Sequence, residues 1–148
     1  MRRLAASLVL AAVCSLVAGC GEDDPFEAYC DEVKEQQEAL TEDLAGGGPT
    51  ALIDALPEFE RLRDTSPEDL RDEWDTVTSR IGDLVEALED AGVDPATYER
   101  DKPPAGVGQE ERRAIDAAAR ALATPEMAAA LGGVEQQARD VCKTPLAL

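Results

Sequence analysis

Histidine is absent from the 148 residues. That removes Ser-His-Asp and Cys-His catalysis, zinc sites built on imidazole, and the Glu-x-x-His di-iron pattern of helical bundles. Beyond the first twenty residues only Ser66 and Ser79 remain as serines, and no glycine-rich phosphate loop is present. A Ser/Lys dyad has no motif behind it. Five aromatics in the whole chain give little for a sugar-stacking cleft, although the many carboxylates leave an acid/base pair formally open. Lysine occurs only three times, and the basic residues are scattered among acids rather than clustered, which sets nucleic acid aside as a partner. No Asp-x-Asp-x-Asp-Gly loop marks a calcium site, so the acids read as solvated faces and no metal or cofactor is expected. Nothing alternates with strand period over a useful length.

What is present begins at the N-terminus. Arg2 and Arg3 precede an apolar, uncharged run from Leu4 to Ala18, and small residues lead to a cysteine. This is the layout of an export signal, too short and wrongly flanked for a retained membrane helix. Val17-Ala18-Gly19-Cys20 resembles the bacterial lipobox, in which the cysteine thiol is diacylated and the chain is cut just before it. An ordinary secretory signal with a chance cysteine is the plainer alternative. Residues 1–19 are therefore expected to be removed, with Cys14 among them. A lipidated Cys20 would then fasten the chain to the outer face of the cell membrane. Buried acyl methylenes contribute ~0.8 kcal/mol each, so two chains anchor durably where one does not. Residues 20–24 form the tether, and the four after the cysteine reach at most ~14 Å.

Removing the signal leaves 12 basic against 32 acidic residues, a net charge of −20 on 129 residues. That length makes one domain with a modest core. Its field opposes an anionic lipid surface, leaving the acyl chains as the membrane contact. The excess of arginine over lysine, 11 to 3, and the 25 alanines suggest a GC-rich bacterial genome.

Residues 25–142 read as an all-α bundle of four to five helices, with 143–148 as a tail. Asp24-Pro25-Phe26-Glu27 has capping order, and Phe26, Cys30, Val33, Gln37, Leu40 and Leu44 share one helical face before Gly46-Gly47-Gly48-Pro49. Thr50 can cap a second segment that Pro57 kinks or splits. Ser66-Pro67-Glu68-Asp69 opens the most regular helix, in which Leu70, Trp74, Val77, Ile81, Leu84, Leu88 and Ala91 recur before a stop at Gly92. On that stripe Trp74 reads as core, with ligand stacking as the sharper alternative.

An alanine-rich helix runs from Gln109 to about Ala123, with Ile115, Ala118, Ala119 and Leu122 on one side. Thr124-Pro125-Glu126 caps a last helix through Met127, Leu131, Val134, Ala138 and Val141. Its spacing persists across Gly132-Gly133 at roughly 1 kcal/mol for each glycine. The alanine clusters permit either close helix approach or a cavity for an apolar ligand.

Between the helix pairs, "VDPATYERDKPPAGVG" at 93–108 holds three prolines and the last aromatic. Long connections are more often functional than short ones, which makes Tyr98, Arg100 and Lys102 the candidate binding-loop residues; a plain crossover is the alternative.

Once Cys20 is acylated, Cys30 and Cys142 are the remaining thiols of an exported chain, and an even pair there reads as a disulfide rather than as two reduced core cysteines. If it ties antiparallel first and last helices, the two "EQQ" stretches oppose each other. Gln37 would then hydrogen-bond Gln136 or Gln137 and fix register; two solvated glutamine pairs are the other reading.

With the lipobox, "FEAYCDEVKEQQEAL", "DAGVDPATY" and "VEQQARDVC" are similar to stretches of a group of small secreted actinobacterial lipoproteins, largely without assigned function. The resemblance covers most of the chain and implies an exported, anchored, helical protein. It brings no catalytic residues. The resulting expectation is a binding or interaction module at the cell envelope that engages an envelope protein, not an enzyme. A carrier of a small apolar ligand inside the bundle is the alternative.

Overall fold

The computed structural model describes residues 25–48 and 50–147. The expected signal, Cys20 with its expected tether, and the expected Asp24 cap lie outside the described residues. Six α-helices follow in order: α1 Pro25–Ala45, α2 Ala51–Asp54, α3 Leu56–Thr65, α4 Arg71–Asp90, α5 Gln109–Ala121 and α6 Pro125–Asp140. A single 3₁₀ turn, Glu68–Leu70, precedes α4. Among the described residues there is no strand.

The sixth helix comes from a break around Pro57. Proline donates no amide hydrogen and is tolerated in the first turn, so α3 restarts with Pro57 in that position after the junction at Ala55. Two expected caps act differently. The Thr50 hydroxyl donates to the Asp54 carboxylate at 2.7 Å, and the Ser66 hydroxyl donates to the Arg63 carbonyl at 2.7 Å, closing α3 rather than opening α4. Thr124 does cap α6, accepting from the Met127 amide at 3.3 Å. At the end of α4, Gly92 takes φ 63° while its amide and that of Val93 donate to the Glu89 and Leu88 carbonyls. This paired closure needs a left-handed residue, which glycine supplies without a Cβ penalty.

The core is built from Tyr29, Val33 and Leu40 of α1, Phe59 and Leu62 of α3, Trp74, Val77 and Ile81 of α4, and Met127, Val134 and Ala138 of α6. The buried face of α1 is Tyr29, Val33, Gln36 and Leu40, one step round from the expected stripe, with Cys30 at its edge. α6 continues through both glycines but stops at Asp140, so Val141 is 41% exposed and Cys142 turns inward instead.

Two contacts set directions. Glu58, near the start of α3, lies within electrostatic reach of Asp43, near the end of α1, and Arg61 donates to Gln36 further back; α3 therefore returns along α1. Trp74 bonds Tyr29, which places the start of α4 beside the start of α1. α5 and α6 both pack on α4. One end of the bundle thus holds the beginning of α1, the disulfide and the beginning of α4. The other holds the end of α1, α2, the end of α4 and the 93–108 connection.

Candidate functional site

The connection between α4 and α5 is a series of tight turns. The Asp94 side chain accepts from the Ala96 amide at 2.9 Å while its carbonyl accepts from Tyr98 at 2.9 Å, and this folds the chain back over the end of α4. Prolines remove further donors, and Gly106 at φ 111° turns the chain toward α5.

Beneath it lies a hollow of about 180 Å³, open on one side. Ile53, Leu84, Leu88, Ile115 and Ala119 supply apolar wall, and Tyr98 covers part of it. At the lip the Arg100 guanidinium meets the half-buried Asp116 carboxylate at 2.8 Å, tying the connection to α5. Two of the three candidate loop residues therefore converge on one site. Lys102 does not: its side chain is 83% exposed and sits 3.8 Å from Glu99, away from the hollow. The apolar wall was missed in the sequence, because Leu84, Leu88 and Ile115 carry only the ordinary spacing of packing residues. Asp116 carries no signal at all.

The glutamine expectation needs correction. Gln37 donates to the Pro145 carbonyl at 2.7 Å, holding the C-terminal tail, and does not reach Gln136 or Gln137. Gln136 is exposed and bonds Asp140 at 3.3 Å within its own helix, while Gln137 is half-buried on α6. The reason is the rotation of α1, which turns Gln36 inward, together with a packing order in which α1 lies on α2 and α3 and α6 lies on α4. Gln36 is the buried amide, 7% exposed; it donates to Glu32 at 2.7 Å and accepts from Arg61 at 3.3 Å.

Cys30 and Cys142 form the expected disulfide, with Sγ atoms 2.04 Å apart across 112 residues of sequence. Beyond it the tail folds back, burying Leu146 and edging a second apolar cleft of about 270 Å³ with Leu44, Leu52 and Phe59.

Among the described residues, Tyr29 and Asp43 depart from ordinary values at opposite ends of α1. Burial pushes the Tyr29 hydroxyl up to about 12, partly offset by its bond to Trp74. Asp43 is raised, first by desolvation and then by Glu58, Asp54 and Glu42 around it. Among the described residues no cluster of three or more His, Cys, Asp or Glu is placed to hold a metal ion, and no helix is long and apolar enough to cross a membrane. Compared with protein-family models, curated proteins and solved structures, the chain matches none.

Proposed function

We propose that the chain is exported, fastened through lipid on Cys20 to the outer face of the cell membrane, and works there as a binding module that engages an envelope protein through the hollow beneath residues 93–108. The observation that carries this reading is the convergence of Tyr98, Arg100 and Asp116 on an apolar hollow between α2, α4 and α5. An apolar concavity with a few convergent polar groups is the usual form of a binding site.

Its size favours a partner's side chain over a carried ligand. Small-molecule sites typically enclose about 300–1,000 Å³, and this hollow is smaller and open. A carrier of an apolar ligand would need an enclosed chamber where Trp74, Tyr29 and Leu40 instead fill the core. Export is supported by the N-terminal signal pattern and by the Cys30–Cys142 bond, since disulfides persist outside the reducing cytoplasm. The missing histidine supports binding over catalysis.

A photo-cross-linking residue at Tyr98 of the full-length protein, expressed in its own cells, tests the reading. A discrete envelope adduct is expected from position 98 and not from exposed Asp75 on α4, and it should be lost with Cys20→Ser. Equal labelling from both positions would contradict it.

A further inference from the structure

The short tether and the fold together give the hollow a position. Under the anchored reading, which this inference rests on and deepens, α1 starts within ~14 Å of the lipidated cysteine. The Trp74–Tyr29 bond sets the start of α4 at that same end. Leu88 lies about 21 Å further along α4 at 1.5 Å per residue, so the hollow lies at the end of the bundle opposite the tether.

The surroundings of the hollow select its occupant by charge. At the hollow itself the Arg100 charge is matched by Asp116, and the stretch of chain around it, residues 86 to 116, carries nine acids and four cations. Arg100 and Lys102 are already held by Asp116 and Glu99, and the Arg112 guanidinium donates to the Gly108 carbonyl. Next to this stretch, Glu42, Asp43, Asp54 and Glu58 gather where α1, α2 and α3 meet; desolvation first, and then these three neighbours, hold the Asp43 carboxyl above its usual range. A field of this sign attracts a cationic partner and repels both a second copy of this acidic chain and an anionic lipid surface.

The volume, about 180 Å³, and the wall of Ile53, Leu88 and Ile115 suit one large apolar side chain. We infer that the hollow receives a single apolar side chain from a basic segment of a partner protein, at the end of the bundle opposite the tether. Buried anchors of this kind, rimmed by polar contacts, carry most of the energy in small interfaces.

The test uses the mature full-length protein and three synthetic probes: a lysine-rich peptide with one central phenylalanine, the same peptide with alanine in that place, and a glutamate-rich counterpart. Methyl NMR follows Leu84, Leu88 and Ile115. Saturable shifts at these methyls are expected with the first peptide, binding about tenfold weaker or worse with the second, a loss of ~1.4 kcal/mol, and none with the third. Ala119→Trp, at an exposed position on the rim, should fill the hollow and abolish the shifts while the remaining spectrum is retained. Equal binding of the phenylalanine and alanine peptides would reduce the effect to bulk charge and overturn the inference. So would silent methyls, or methyl shifts that track protein concentration without peptide, which would mark a second copy. The probes read the hollow whether or not Cys20 carries lipid, so a failure of anchoring and a failure of binding are separate results.

Discussion

The indole N–H of Trp74 donates to the hydroxyl of Tyr29 at 3.2 Å, joining α4 to α1 inside the core across 45 residues of sequence. Both side chains are fully buried, and the Phe59 ring of α3 lies 5.8 Å from that of Trp74. Three helices thus meet on one polar bond in an apolar setting. Tyr29→Phe keeps the ring and leaves the indole donor without its acceptor, which costs ~1–3 kcal/mol. Urea unfolding should show this as a lower midpoint at unchanged slope; an unchanged midpoint contradicts the assigned bond.

The same hydroxyl gives the fold an alkaline limit. Its value is raised from 10.0 to about 12, so the folded protein holds this proton where the unfolded chain loses it. The stabilisation is complete below the unfolded value and is lost as pH rises through the folded one. Stability measured across that window should fall more steeply for the native protein than for Tyr29→Phe. Identical slopes would mean that Tyr29 is not the titrating group.

Asp43 works in the opposite sense at neutral pH. Desolvation and three neighbouring acids raise its folded value, so ionising it costs stability above the carboxylate range. Asp43→Asn should raise the unfolding free energy at neutral pH by roughly a few tenths of a kcal/mol, and the gain should vanish in acid, where the native carboxyl is protonated. The effect is small because the group lies near the surface. Added salt should shrink it further.

The disulfide closes nearly the whole folded domain. Constraining a loop of this length contributes ~4–5 kcal/mol in the chain-entropy model. Replacing both cysteines with serine should lower stability by an amount of that order. Gln37→Ala should cost a further ~1 kcal/mol by releasing the Pro145 carbonyl, whereas Gln136→Ala, at an exposed site, should stay within about 0.5 kcal/mol of the parent. Equal effects at the two glutamines would restore the direct pairing that the structure replaces.

Much of the architecture is legible in the sequence because its signals are local. Gly46 after α1, Gly92 after α4, and Thr124-Pro125 before α6 each mark a boundary through backbone chemistry that neighbours cannot change. The rotation of α1 is not legible. Phe26-Cys30-Val33-Gln37-Leu40 and Tyr29-Val33-Gln36-Leu40 share Val33 and Leu40 and differ by one position elsewhere, and only the Trp74 partner and the position of the disulfide choose between them. The candidate site divides in the same way. Tyr98 and Arg100 stand out as the aromatic and a cation of a long connection, but the hollow they border exists only once α2, α4 and α5 are assembled. Val141 shows the limit of periodicity: its spacing is right, and the helix ends one residue before it.

The central claim is that an acidic bundle is held at the membrane by Cys20. Intact mass measurement of the protein recovered from the membrane fraction of its own cells, with Cys20→Ser beside it, tests this most directly. The account predicts a chain beginning at Cys20 and heavier by a diacylglyceryl group, with the serine variant unprocessed or released. An unmodified mature chain in the soluble fraction, cut elsewhere and unaffected by the substitution, would contradict it.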